Sequence, residues 1–315
     1  MWTSSRTRSP VIREATMFIL RTLCRHILGA AALVACGLNG FHAPQSLSAR
    51  STTATASVQF AVIGDSGTGG ADQYDVAAAM AASRGRLPFG FVIMLGDNVY
   101  GGWNPKAVAG KFERPYKPLL DAGVQFYASL GNHDADEERS YGAFHMDEQR
   151  YYTFTRSNVD FFALDSNYMD RSQLAWLEQA LQASRATWKI AFLHHPLYSS
   201  GGRHGSEKDL RGVLEPLLLR HGVQVVFSGH DHVYERVKPQ GGITYFVCGS
   251  SGELRRGNLD KRSELTAAGF DLDRAFMLVD VAGDTLHFQA ISRTNAIVDS
   301  GQITLAAPGS PSASP

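Results

Sequence analysis

The chain has 315 residues, 30 Lys and Arg against 30 Asp and Glu, and an apolar fraction of 44%. That length can bury a sizeable core unaided, and the composition is that of a soluble globular protein of one large or two small domains. Zero formal charge argues against a broad basic surface for nucleic acid or anionic membrane, so a small molecule is the expected partner; a monomer is the expected state.

With Met17 as the true start, Arg21 and Arg25 precede an apolar run from Ile27 to Cys36. The run has the length of a signal-peptide core and is far short of a membrane span, so export is expected, with residues 1–16 a miscalled upstream start. Leu33-Val34-Ala35-Cys36-Gly37 resembles the lipobox of bacterial lipoproteins, which implies a lipid anchor on Cys36 as the sole membrane contact; plain secretion is the alternative. The expected location is secreted, periplasmic or lipid-anchored to a bacterial membrane. Residues 38–57, rich in Ser, Thr and Ala, read as a flexible tether, so 1–57 is leader and tether. Cys24 and Cys36 fall inside it, and the remaining Cys248 in the run Thr244 to Cys248 reads as a buried structural thiol with no disulfide framework.

From Val58 short β-rich runs alternate with amphipathic stretches. Val58 to Ile63 precedes Gly64-Asp65, Phe91 to Leu95 precedes Gly96-Asp97, and Val124 to Leu130 precedes Gly131-Asn132-His133-Asp134, with a helical pattern over Asp72 to Ser83. Polar residues placed always after the strand indicate a site at the strands' carboxyl ends. Tyr151 to Arg156 and Val159 to Asp165 predict a hairpin turning at Arg156, Ser157 and Asn158. A helix over Ser172 to Ser184, capped by Ser172, carries an apolar stripe of Leu174, Trp176, Leu177, Ala180 and Leu181. Trp188 to Leu193 then runs into His194-His195-Pro196, and a helix from Ser206 to His221 leads to strand Val223 to Phe227 and Ser228-Gly229-His230-Asp231-His232. Beyond it, Ile243 to Val247, Phe276 to Val281, Thr285 to Ile291 and Ala296 to Leu305 predict a second, antiparallel sheet packed on the first, giving one α+β sandwich. Residues 306–315 read as a disordered tail.

Asp65, Asp97, Asn132, His194, His230 and His232 are oxygen and imidazole donors, each just past a predicted strand. One such residue is ordinarily a turn or a cap; six at one edge are a constellation. His230 and His232, two apart, point to the same side if extended, so one loop can serve a binuclear centre twice. Asp97 can bridge two cations, whereas Tyr100 ligates only a metal acidic enough to take its phenolic proton, as Fe(III) does and Mg(II) or Ca(II) does not. The set holds no thiolate, which favours hydrolytic use of hard or borderline cations over a structural zinc site.

Asp65-Ser66-Gly67, Gly96-Asp97-Asn98-Val99-Tyr100, Gly131-Asn132-His133-Asp134, His194 and Gly229-His230-Asp231-His232 resemble the five ordered motifs of the calcineurin-like metallophosphoesterases. Gly67, where most members carry His, and Tyr100 make the chain similar to the purple acid phosphatases. Gln173-Leu174-Ala175-Trp176-Leu177 resembles their small, tartrate-resistant branch, and no room is expected before Val58 for the extra β domain of the large members. The resemblance implies a four-layer α/β/β/α sandwich of two mixed sheets flanked by helices, with 58–305 as the catalytic domain. It implies a phosphoric monoester hydrolase, an acid phosphatase acting on a small phosphorylated substrate. Asp65, Tyr100 and His232 would bind Fe(III); Asn132, His194 and His230 would bind Fe(II), Zn(II) or Mn(II); and Asp97 would bridge them. Such a pair supplies hydroxide to attack phosphorus, and His133 would protonate the leaving oxygen.

The resemblance gives His204 as the substrate-facing loop histidine and His195 as a supporting residue. Asn98 orients the ligands, Ser66 is a turn residue, and His145, His221 and His287 read as surface or satisfied packing. Two alternatives remain open at this stage: a phosphodiesterase of the same fold, and a non-catalytic binding module.

Overall fold

The computed structural model describes residues 57–305. The expectations for the leader, including the Cys36 anchor, and for the 306–315 tail lie outside them. Among the described residues no helix is long and apolar enough to cross a membrane.

Thirteen strands and five α-helices follow in order: β1 (Val58–Ile63), α1 (Ala71–Ser83), β2 (Phe91–Met94), α2 (Pro105–Val108), α3 (Lys117–Asp121), β3 (Gln125–Ala128), β4 (Tyr152–Arg156), β5 (Val159–Ala163), α4 (Arg171–Ala183), β6 (Trp188–Phe192), α5 (Lys208–Arg220), β7 (Val225–Ser228), β8 (Tyr234–Val237), β9 (Thr244–Cys248), β10 (Thr266–Phe270), β11 (Ala275–Ala282), β12 (Thr285–Ser292) and β13 (Ile297–Thr304). One sheet has the order β13-β12-β11-β1-β2-β3 and the other β10-β8-β9-β7-β6-β5-β4. Both are mixed: β1, β2 and β3 run parallel, as do β5, β6, β7 and β9.

Side-chain alternation explains the layers. On β1, Phe60 and Val62 enter a core shared by the two sheets, where they meet Phe161, Trp188, Phe227 and Phe246. Ala61 and Ile63 point the other way, onto Val76 and Met80 of α1. On the far side, Leu177, Leu181, Leu214 and Leu218 of α4 and α5 cover Phe162, Ala191 and Val226. The result is the expected α/β/β/α sandwich of two mixed sheets flanked by helices.

The C-terminal strands do not form a sheet of their own. β9 enters the second sheet parallel to β7, while β11 pairs antiparallel with β1 and carries β12 and β13 onto the first sheet. The reason is that β11 is apolar on both faces: Met277 and Val279 enter the shared core and Phe276 and Leu278 the helix side, so it needs an interior position. The open edge of β1 provides one. β8 and β10 escape the apolar pattern because they carry partnered polar groups, such as the buried Glu235 that accepts from the Ser200 N–H at 2.7 Å and Thr266 Oγ1 at 2.6 Å.

Two helix starts also differ. α4 is capped by Asp170, whose Oδ1 accepts from the Gln173 N–H at 2.8 Å, rather than by Ser172. Gln173 is itself buried and locks the preceding loop, accepting from the Asp165 N–H and donating to the Asp165 and Tyr168 carbonyls. α5 begins at Lys208 because Ser206 closes the loop before it, accepting from the Ser199 N–H at 3.0 Å.

Candidate metal centre

The parallel strands β1, β2, β3, β6 and β7 release their chains at one edge of the sandwich, and every predicted donor lies in the loop that follows one of them. Asp65, Asp97 and His230 take left-handed backbone conformations, with φ of 52°, 54° and 68°. Such conformations cost non-glycine residues about 1–3 kcal/mol each and persist only where surroundings enforce them. Here hydrogen bonds between the loops do so. Asp65 Oδ2 accepts from the His230 N–H at 2.8 Å, and Asp97 Oδ1 accepts from the His133 N–H at 3.0 Å.

The donors converge as two groups. In one, Tyr100 Oη stands 3.4 Å from both Asp65 Oδ1 and His232 Nε2, and those two are 3.3 Å apart. In the other, His194 Nε2 lies 2.9 Å from Asn132 Oδ1 and 3.1 Å from His230 Nδ1. Asp97 Oδ1 is 3.6 Å from His194 Nε2, and ligand atoms of Asp65, Asp97 and His194 all lie within 4.8 Å of one another. Because His230 is left-handed rather than extended, it and His232 serve different groups instead of sharing one side. The floor of the site, Asp65, Asp97 and His194, is buried, whereas Asn132 and His133 on the rim are exposed.

The donor set fits cations on electrostatic grounds. Burial, with the Asp97 charge nearby, pushes the Asp65 carboxyl up to about 7 against the pull of His232. Burial followed by the Asp65 and Asp97 charges holds the Tyr100 phenol far above its ordinary value. Burial and the neighbouring imidazoles His194, His195 and His204 push His230 down to about 2, and His194 is lowered likewise. A carboxyl and a phenol that resist ionising, beside two imidazoles that refuse protons, mark a site lacking positive charge, and cations would reverse the Asp65 and Tyr100 shifts; His232 is raised instead, burial being outweighed by its bond to Asp65. His194 Nδ1 bonds the Leu95 carbonyl at 2.8 Å, which leaves Nε2 as its metal-facing atom.

Residues 58–234 match the family model of the calcineurin-like phosphoesterases. The chain belongs to that family. It is 28% identical over 290 residues to purple acid phosphatase 7 of Arabidopsis thaliana, covering 76% of this chain and 88% of that one. It is 24% identical over 253 residues to tartrate-resistant acid phosphatase type 5 of Oryctolagus cuniculus, covering 67% and 78%. Among solved structures, GAP50, described as the anchor in the inner membrane complex of Plasmodium, aligns with a TM-score of 0.68 at 20% identity over 80% of this chain and 90% of its own.

Within this phosphoesterase, Gly67 is a steric requirement. A Cβ there would overlap the Asn98 carbonyl, because the turns after β1 and β2 are laced together by the Gly67 N–H to Asp97 O bond at 3.1 Å and the Tyr100 N–H to Gly67 O bond at 3.0 Å. No histidine fits at 67, and Tyr100 stands beside Asp65 instead. Gly131 is equally constrained, since a Cβ would collide with the Asp97 carboxylate.

The ring of His133 lies 5.2 Å from that of Tyr100, and that of His204 lies 4.1 Å from His230, so both predicted catalytic histidines stand at the centre. His195 is closer in than expected of a supporting residue: its ring is 4.4 Å from that of His230 while its Nδ1 pairs with Ser166 Oγ at 2.8 Å. His145 is satisfied by the Phe126 carbonyl at 2.9 Å, and Cys248 is buried against Met277. Two supporting carboxylates carry more than the motifs announced. Asp134 accepts from the backbone N–H groups of Asn98, Val99 and Gly131 and from the Asn98 amide, tying two ligand loops together. Buried Asp231 accepts from Ser199 Oγ at 2.6 Å and the Gly205 N–H at 3.0 Å, which fixes the His204 loop. Both sit inside quoted motifs, but their partners are donors of distant loops that no residue pattern encodes.

Proposed function

We propose that the protein is an acid phosphatase of the purple type, hydrolysing phosphate monoesters at a binuclear centre. Asp65, Tyr100 and His232 would hold Fe(III), and Asn132, His194 and His230 would hold Fe(II), Zn(II) or Mn(II), with Asp97 between them. The observation that carries the reading is the Tyr100 phenol, placed 3.4 Å from both Asp65 and His232 with the space for any histidine at 67 closed. When bound, the metal pair would offset the charge of a phosphate and lower the pKa of water enough to supply hydroxide.

The chain's own residues supply the remaining steps. Exposed Asn132 bonds to His194; His204, its ring 4.1 Å from that of His230, would meet a phosphate oxygen, and exposed His133, its backbone tied to Asp97, would hand a proton to the leaving oxygen. Purified protein should be purple or pink from tyrosinate bound to Fe(III). Tyr100→Phe should bleach that band, as visible absorption and iron analysis will show; active, colourless, iron-free wild-type protein would sink the Fe(III) assignment. His133→Ala should retain both metals and lower kcat roughly a hundredfold for a poor leaving group; metal loss in that variant would refute the general-acid role.

Comparing p-nitrophenyl phosphate with its bis ester across pH separates this reading from a phosphodiesterase. A second reading is a binding module, since GAP50, described as an anchor, shares the fold; but decay ordinarily removes ligands first, and all seven donors stand in place here. A folded protein that takes up no metal would support that second reading. The leader supports export, either secreted or anchored through Cys36, with the enzyme acting as a monomer on a small phosphorylated substrate.

A further inference from the structure

The metal-facing residues account for one end of a phosphate ester, and the alcohol end needs its own place. A cavity of about 490 Å³ opens beside Asn132 and His195. Tyr168 stands in its wall and is 67% exposed, the highest value among the large apolar and aromatic side chains of the described residues. Exposure of that size ordinarily goes with a mobile loop, yet this loop is fixed. The Tyr168 carbonyl accepts from the Asp170 N–H at 2.9 Å and from Gln173 Nε2 at 3.2 Å. Asn167 donates to the Leu130 and Gly131 carbonyls, each at 3.2 Å, which joins the loop to the turn that carries Asn132.

The ring is backed as well. The Arg150 guanidinium packs 4.9 Å from its centroid and is itself held by Asp165 at 3.0 Å and by Asp136. Tyr168 is therefore a flat aromatic surface held in register with a candidate ligand. The charges around it are informative too. Arg150 is already paired with Asp136 and Asp165, and Glu207 also lines the cavity, so the wall has no spare cation for a second phosphate.

We infer that this cavity receives the leaving group, and that the favoured substrates are monoesters of flat, uncharged aromatic alcohols stacked on Tyr168, a specificity-determining residue. The inference rests on the phosphatase reading above. It can be tested without turnover, by calorimetric binding of phenylphosphonate and methylphosphonate to the metal-loaded full chain. Wild-type protein should bind the phenyl compound roughly three- to tenfold more tightly, the range of an aromatic pair. Tyr168→Ala should erase that preference and Tyr168→Phe should keep it, with methylphosphonate affinity unchanged in both. In turnover, Tyr168→Ala should raise KM for phenyl phosphate by the same factor at constant kcat and leave glycerol 2-phosphate unaffected. No preference in the wild type, a preference that survives in Tyr168→Ala, or an equal loss for both ligands would overturn the inference. A wild-type preference combined with no hydrolysis of either ester would instead uphold the stacking site and overturn the phosphatase reading.

Discussion

Asp97→Asn should cost the protein its metals and its activity together, with kcat falling by at least about a thousandfold and metal content dropping toward zero. The substitution is nearly isosteric, so the fold has no reason to fail. What it removes is the anionic oxygen that lies between the two donor groups, 3.6 Å from His194 Nε2 and hydrogen-bonded to the His133 N–H. An amide carries no net charge and exchanges one acceptor for a donor, which would point at a cation. The metal-free protein should respond in the opposite sense. Burial, with Asp97 adding to it, raises the Asp65 and Asp134 carboxyls, so removing the Asp97 charge relieves part of that cost and the thermal midpoint of the stripped variant should equal or exceed that of stripped wild type. Elemental analysis, steady-state kinetics and thermal melts with and without chelator check the three parts. A stripped variant that melts well below stripped wild type would show that Asp97 is chiefly a structural residue.

Asp134→Ala should be the most destabilising single change among the supporting residues, by about 2–4 kcal/mol. Its Oδ1 accepts from the Asn98 N–H at 2.7 Å and the Val99 N–H at 3.2 Å, and its Oδ2 from the Gly131 N–H at 2.8 Å and Asn98 Nδ2 at 2.9 Å. Alanine leaves the three buried backbone N–H groups, of Asn98, Val99 and Gly131, without their acceptor, while Asn98 Nδ2 keeps the Ser129 carbonyl at 2.9 Å. Asp97 and Asn132 sit on the two loops so released, so metal affinity should fall with stability. Asp134→Asn, which preserves one carbonyl oxygen, should recover part of the loss. Chemical denaturation of both variants, metal-free and loaded, checks the order; equal stability of the Ala variant and wild type would show that water replaces the carboxylate.

The donor set was legible because it follows from local pattern: a buried strand, then Gly and a polar residue at Asp65, Asp97, Asn132 and His230, and a strand end without the Gly at His194. A parallel strand ends at the same edge as its neighbours, so order along the chain became position in space. What could not be read depends on contacts between distant segments. The partner of β11 is β1, far back in the chain, and nothing in either stretch names the other. Asp134 and Asp231 look like ordinary turn residues until the amides they hold are in view. Tyr168 carries no motif, and its meaning arises from Asn167, Arg150 and the cavity beside it. The helix starts missed by a few positions for a simpler reason: Asp170 and Ser172 are both good caps, and the geometry of the preceding loop selects between them.

The pairing of β11 with β1 also orders events in time. By Gly249 the growing chain already contains every candidate ligand, from Asp65 to His232, together with the strands that carry them. One edge of β1 stays open until Ala275–Ala282 has been made, and the Ser251 and Glu253 N–H groups that grip the Gly64 and Asp65 carbonyls also arrive late. The earliest ligand is thus secured by residues synthesised only after the last ligand, His232. A nascent chain holds the full set of metal-binding side chains well before it holds the frame that gives them one geometry, so cations meeting it early would find flexible donors, and cations meeting it after completion would find a finished site.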